Sequence, residues 1–346
     1  MSKPFTEYLE KISMSVDLSE QEAASAMDLI LTGGVSNEEV AAFLMGMRSK
    51  GETISELTAF VQRMRDAAVT VDVNTNGAVD LCGTGGDKSG TFNISTAAMF
   101  VVAGAGVPVL KHGNRSVSSK SGSYDVLEKL GAVPNLEKAG VERMFNETGM
   151  AFMFAPNFHP AMKYVMPARR ALKMRTFFNM LGPLLNPAGV KNQVVGAFSR
   201  EAAGMMIQIL ANLQTESAFT VSAHDGLDEV SLASQSEIFE LKSNMSGESV
   251  TFDPGSIGYK KVESGTLLGG DSEVNAKIIR EIMDLESTDA QRNIVELNAA
   301  FAIRASNKTD NLQDASDLAR ESLESGRAAE KLALFISESQ KIAAST

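Results

Sequence analysis

Apolar residues recur at three- and four-residue spacing through three consecutive segments near the start of the chain. Each segment opens with Ser or Thr and carries Glu three residues later. In the first, Ser19 and Glu22 lead into Ala23, Ala26, Met27 and Ile30, with Gly33 as the stop. In the second, Ser36 and Glu39 lead into Val40, Phe43, Leu44 and Met47 and end at Gly51. In the third, Thr53 and Glu56 lead into Leu57, Phe60, Val61 and Met64. A hydroxyl and a carboxylate at this spacing close on each other's backbone N–H groups, so the pattern predicts three short amphipathic helices. Their Met and Phe stripes are core positions, because helical spacing alone predicts burial.

From Ala78 the pattern changes to short apolar runs alternating with Gly-rich turns and helical stretches. Strands are predicted at 78–82, 107–111, 151–154, 194–198 and 218–223, separated by segments long enough for crossover helices. This is an α/β fold, with a central, mostly parallel sheet. A Gly- and Ser-rich stretch from Gly255 to Gly270 then gives way to polar amphipathic helices, to which the sequence assigns no function. At 346 residues the chain exceeds the roughly 250 to 300 residues at which one core stops growing. The division read from it is a helical lobe over 1–73, completed by helices around 165–188, and an α/β lobe over 74–346.

Composition narrows the partners. Thirty-two Lys and Arg against 43 Asp and Glu leave a net charge of -11, which disfavours nucleic acid unless positive charge is gathered in one place. The single cysteine, Cys82, excludes an intrachain disulfide and a Cys-built zinc site. No signal-peptide pattern is seen, and the longest apolar stretch, from Ala97 to Val109, is interrupted by Gly104, Gly106 and Pro108. The expectation is therefore a cytoplasmic protein with no membrane partner.

Three loops carry chemistry, each after a predicted strand, where an open α/β sheet exposes its ligand edge. The first is Gly83-Thr84-Gly85-Gly86-Asp87, followed by Asn93-Ile94-Ser95-Thr96 at the start of an apolar helix. Glycines admit an anion close to the backbone, and the helix start attracts negative charge. The same glycines are equally compatible with a tight turn capped by Asn93. The spacing is neither that of a Walker loop nor that of a dinucleotide fingerprint. The second loop, Lys111 to Ser123, carries Lys111, Arg115 and Lys120 among five serines, a composition suited to phosphates. The third, His224-Asp225-Gly226-Leu227-Asp228-Glu229, offers the hard oxygen ligands that Mg²⁺ prefers, although an Asp-Glu pair is more often a solvated turn. Arg169 and Arg170 stand about 100° apart on a predicted helix, so only one of them can face any cleft, and two solvated arginines fit this segment equally well.

Together, Gly83-Thr84-Gly85-Gly86-Asp87, Thr91-Phe92-Asn93-Ile94-Ser95-Thr96, Lys111-His112-Gly113-Asn114-Arg115-Ser116-Val117-Ser118-Ser119 and Gly226-Leu227-Asp228-Glu229 closely resemble the anthranilate phosphoribosyltransferases. Phe154-Ala155-Pro156, His159-Pro160-Ala161-Met162, Arg175-Thr176-Phe177-Phe178-Asn179, Leu181-Gly182-Pro183 and Asn186-Pro187 extend the resemblance over most of the chain. It implies a helical lobe hinged to an α/β lobe, usually in a homodimer. The implied reaction joins 5-phosphoribosyl 1-diphosphate and anthranilate with Mg²⁺ as cofactor, a step of tryptophan biosynthesis without a covalent enzyme intermediate. By motif, donor binding would fall to Gly83, Gly86, Asp87, Thr91, Asn93, Ile94, Ser95, Thr96, Lys111, His112, Gly113, Asn114, Arg115, Ser116, Val117, Ser118, Ser119 and Ser123. Gly83, Asn114 and Arg169 would hold anthranilate; Ser95, Asp228 and Glu229 would serve the metal. Lys111 and Mg²⁺ would take up charge on departing diphosphate. The wording departs from the family's commoner form at Ala171-Leu172-Lys173 and at Ser222-Ala223, which concerns local loop contacts. A nucleoside phosphorylase, the nearest rival, would carry a Lys-His-Ser-Thr-Gly-Gly run that is missing here.

Overall fold

The computed structural model describes residues 4–87, 89–116, 120–243 and 245–345. Four helices come first: α1 (Phe5–Ser13), α2 (Glu20–Leu31), α3 (Asn37–Lys50) and α4 (Ile54–Asp66). The three expected capping boxes open α2, α3 and α4. Helix α1 was not anticipated. Its N-cap is Pro4, without a side-chain hydrogen bond, so it lacks the start signal that marks the other three.

The α/β part begins with β1 (Val79–Gly83), α5 (Ile94–Gly104), β2 (Val109–Gly113), α6 (Ser123–Lys129), α7 (Lys138–Thr148) and β3 (Met150–Phe154). Three short helices follow: α8 (Ala155–Phe158), α9 (Met166–Leu172) and α10 (Phe177–Leu181). The sheet resumes with β4 (Asn192–Gly196), α11 (Arg200–Asn212), β5 (Ser217–Ala223), β6 (Ser236–Lys242), β7 (Met245–Ser246) and β8 (Val250–Phe252). The chain ends in α12 (Ser272–Met283), α13 (Asp289–Ala305), α14 (Leu312–Glu324) and α15 (Arg327–Ala344).

Strand order is β3-β2-β1-β4-β5-β6-β7, with β8 also on β6. The first five strands in this order run parallel, and β6 to β8 form an antiparallel edge absent from the sequence expectation. The chain builds outward one way from β1 to β3 and then the other way through β4 and β5. The gap between the carboxyl ends of β1 and β4 is thus the topological switch point, where such sheets bind ligands.

Two apolar cores form. One joins α1 to α4 with Val165 and Ala168 of α9 and its approach, Phe177, Phe178, Met180 and Leu181 of α10, and the inner face of α11. The other wraps the sheet around α5, a helix buried at every position except Ser95. A helix apolar on all sides belongs in an interior, and its one partly exposed hydroxyl sits at its first turn. Among the described residues, no helix is long and apolar enough to cross a membrane.

Candidate active site

Strands β1 and β4 pair along their whole length, ending with Gly83 opposite Gly196. The acidic loop after β5 settles on these two glycines. A Cβ on Gly196 would lie 1.4 Å from the backbone oxygen of Asp228, and one on Gly83 would lie 2.5 Å from its Oδ2. Any other residue at Gly196 would lift the loop off the sheet.

Once seated, the acidic residues fasten to the first loop and to α5. The N–H of Gly85 donates to Asp228 Oδ2 at 2.7 Å, and the N–H of Ser95 donates to Glu229 Oε1 at 3.0 Å. Gly85 and Gly86 both take positive φ, the backbone state that turns the loop back over the sheet. Asp87 joins the group electrostatically. Burial first, then the charge of Asp87, raises the Asp228 carboxyl to about 6. Burial, Asp228 and Asp87 push Glu229 well above its ordinary value. Asp87 Oδ2 is buried with no hydrogen-bond partner among the described residues. The charge of Asp87 beside Asp228 and Glu229, with one buried oxygen left bare, gathers negative charge that a hard dication would offset.

Lys111 lies beneath them. Its Nζ donates to the Leu81 carbonyl and to Ser95 Oγ at 3.3 Å. Burial lowers its proton affinity, opposed by the charge of Asp80. Asp80 is itself fully buried, and burial raises its carboxyl to about 6 against the pull of Lys111. These contacts replace a missing piece of sheet, because the registered pairing of β1 with β2 is confined to Val79 opposite Val109. Beyond it, Asp80 Oδ1 accepts from His112 N at 3.2 Å. Asn186 Nδ2 donates to Asp80 Oδ2 and to Leu110 O, both at 2.8 Å. The splayed strands separate the two loops while Leu81 O, Leu110 O and His112 N each keep a side-chain partner.

Asn93 precedes α5 but makes no side-chain cap; its Nδ2 donates instead to Ser121 O at 3.2 Å. The simple capped-turn alternative for this loop therefore fails. Thr91 Oγ1 lies 3.1 Å from Ser89 Oγ. Ile94 is fully buried, and Thr96 is buried with its Oγ1 unpartnered among the described residues. The His112 ring meets His159 edge to face at 5.1 Å. Burial lowers both imidazoles, His159 to about 4, so both are neutral.

The three cations of the second loop take different partners. Lys111 turns inward, Lys120 is exposed, and Arg115 stacks on Tyr124 at 3.8 Å while reaching Asp125 and Glu128. A single basic patch is thus not what the loop presents, because α6 supplies acids that its sequence neighbours did not announce. Asp125 also receives Ser116 N and Gly122 N, and Ser123 Oγ donates to Asn114 O at 3.4 Å. Gly113 ends β2, and the side chain of Asn114 accepts from Arg115 N. Val117, Ser118 and Ser119 lie outside the described residues.

Arg169 sits on α9, half-buried over Phe178 at 5.5 Å, while Arg170 faces solvent, as their angular offset required. Arg175 ties this helical region to the first loop by donating to Gly86 O. The sequence motifs include Arg175 and Asn186 without giving either a role, and Asp80, Asn275 and Asn298 are absent from them. A charge inside an apolar strand is the signal that could have found Asp80, whereas Asn298, which clips Val230 N and Val230 O at 2.9 and 3.0 Å, carries no local sign.

A phosphate-type loop, an acidic loop and a buried lysine at the switch point, beside a helical bundle, define a two-domain glycosyl transferase. The chain matches the glycosyl transferase family helical bundle domain over residues 6–68 and the family's a/b domain over residues 75–329. Within that class it belongs to the anthranilate phosphoribosyltransferase family. It is 46% identical to the anthranilate phosphoribosyltransferase of Salinibacter ruber, over 96% of this chain and 98% of the relative. It is 45% identical to that of Alkaliphilus metalliredigens, again over 96% and 98%. The crystal structure of the Thermus thermophilus enzyme superposes with a TM-score of 0.90 at 35% identity, covering 96% of this chain and 99% of that one. The Saccharomyces cerevisiae enzyme, solved in complex with PRPP and Mg, gives 0.88 at 26% identity over 97% and 98%.

Proposed function

We propose that this chain transfers the phosphoribosyl group of 5-phosphoribosyl 1-diphosphate to the amine of anthranilate, releasing diphosphate and N-(5-phosphoribosyl)anthranilate, within tryptophan biosynthesis. The observation that carries the site assignment is the convergence of Asp228 and Glu229 on Gly85 and Ser95 at the switch point. Family membership supplies the reaction.

Donor phosphates would lie along Gly83, Gly86, Asp87, Thr91 and Asn93 to Thr96, and against the loop from Lys111 to Ser119 with Ser123. Ser95, Asp228 and Glu229 are the proposed Mg²⁺ ligands. Among the described residues, no three His, Cys, Asp or Glu side chains form a metal site by themselves. Mg²⁺ is usually held by one or two carboxylates together with substrate phosphates and water. When bound, Mg²⁺ supplies countercharge for the departing diphosphate.

The chain's own work is alignment. Gly83 and Asn114 would hold anthranilate, and Arg169 would face its carboxylate, for which a planar guanidinium is well shaped. Lys111 Nζ stands under Ser95 Oγ, where it would meet charge on the leaving group, and the start of α5 adds its partial charge in the same direction. The aryl amine is neutral at pH 7, so no strong base is required, and the neutral rings of His112 and His159 suit a packing role. Alignment of amine and anomeric carbon then carries most of the acceleration. The lobe division at residues 73 and 74, with helices around 165–188 completing the helical lobe, belongs to the same proposal, as do a homodimer and a cytoplasmic location.

The test is anthranilate fluorescence followed after mixing with the donor and Mg²⁺, with EDTA as control. Loss of signal that needs the metal and matches diphosphate release is expected. No loss under any divalent metal would contradict the assignment.

A further inference from the structure

Residues 268–275 join the Gly- and Ser-rich stretch to α12 and lie along the first loop. Leu268 bridges Thr91 in antiparallel fashion, and Gly269 N donates to Gly90 O at 2.9 Å. From the first turn of α12, Asn275 reaches in with 2% of its surface exposed.

The hydrogen bonds of Asn275 have a fixed direction. Gly270 N–H can only donate, so the atom facing it at 2.7 Å is Asn275 Oδ1. The other end of that amide, Nδ2, must then donate, and it does so to Asn93 Oδ1 at 3.0 Å. Asn93 is left with Nδ2 for its second contact, the carbonyl of Ser121 at 3.2 Å. One oriented relay therefore runs from the C-terminal region, through the residue preceding α5, into the loop that follows β2.

We propose that Asn275 is a positioning residue for phosphoribosyl transfer. It fixes the amide of Asn93 and, through Asn93, the spacing of the two loops that hold the donor. The proposal rests on the donor site described above. Without the relay, Asn93 is free to do what Asn ordinarily does before a helix, which is to cap it, and that rotation would release Ser121.

The experiment is a steady-state double-mutant cycle with Asn275→Ala, Asn93→Ala and the pair, measuring KM for each substrate. Asn275→Ala is expected to raise the donor KM about tenfold, the equivalent of one buried hydrogen bond. It should leave the anthranilate KM within about twofold. In the Asn93→Ala background it should add nothing further, because the two residues act in series. Asn275→Asp keeps an acceptor for Gly270 N while losing the donor to Asn93. It covers the case in which the alanine variant fails to fold, and the same rise in donor KM is expected.

Equal rises for both substrates, or effects of Asn275 and Asn93 that simply add, would overturn the relay. So would a donor KM that moves with Asn93→Ala but not with either Asn275 variant. If Asn93→Ala itself left the donor KM unchanged, the donor-site assignment would fall, and the relay with it.

Discussion

At the scale of single residues, the site depends on two side chains that are not there. Gly196 leaves room for the backbone oxygen of Asp228, which would stand 1.4 Å from an added Cβ, whereas Gly83 faces the carboxylate tip of Asp228 at 2.5 Å. Backbone cannot rotate away; a carboxylate can. Gly196→Ala should therefore displace the acidic loop and cost ~10²-fold in kcat/KM, the usual toll of a misplacement near 1 Å. Gly83→Ala should cost only about tenfold, through loss of the Gly85 contact. Kinetics of the two purified variants at saturating Mg²⁺ check the ranking, and equal losses would refute it.

Two other residues set opposite pH trends. Burial raises Asp80 from 3.8 to about 6, so its contribution to folding is complete below the unfolded value and is lost as pH rises through about 6. Burial lowers His159 from 6.5 to about 4, so its contribution is complete above the unfolded value and is lost as pH falls through about 4. Between about pH 4 and 6 the two oppose each other. On acidification across that window, Asp80→Asn should lose stability more steeply than the parent protein, and His159→Gln less steeply. Urea midpoints at constant ionic strength measure both slopes; slopes unchanged in both variants would show that neither group is buried as described.

At the scale of elements, local grammar was legible and long-range pairing was not. The capping boxes at Ser19, Ser36 and Thr53 announced α2, α3 and α4 because hydroxyl, carboxylate and apolar stripe act within one turn. Helix α1 begins at Pro4 with no such signal. The five parallel strands were found, with shifts at their ends of up to two residues, because they are buried apolar runs. Strands β6 to β8 were missed: β6 reads Ser-Glu-Ile-Phe-Glu-Leu-Lys, and β7 and β8 are two and three residues long, too short for a periodic signal. The acidic motif was visible as hard oxygen ligands. What holds it was not, because Asn298 comes from α13, 68 positions away from Val230.

At the scale of the whole molecule, the chain places its chemistry where two cores meet a reversal of strand order. Asn186, in the segment between α10 and β4, bonds to Asp80 and Leu110 beneath the site. Arg175 reaches from the helical region to Gly86 above it, so the first loop and the strands beneath it are each fastened by a residue outside the sheet. The helices that the sequence left without a function supply Asn275 and Asn298, each bonded to a segment of the site. The central claim is that Asp228 and Glu229, seated on Gly83 and Gly196, serve the metal of the transfer reaction. Its most direct test is the Mg²⁺ dependence of turnover in the double variant Asp228→Asn, Glu229→Gln. We predict a loss of ~10²-fold or more, on the scale of removing a preorganised charge partner, with half-maximal activity moved to higher Mg²⁺. Turnover and Mg²⁺ dependence equal to those of the parent enzyme would contradict the account.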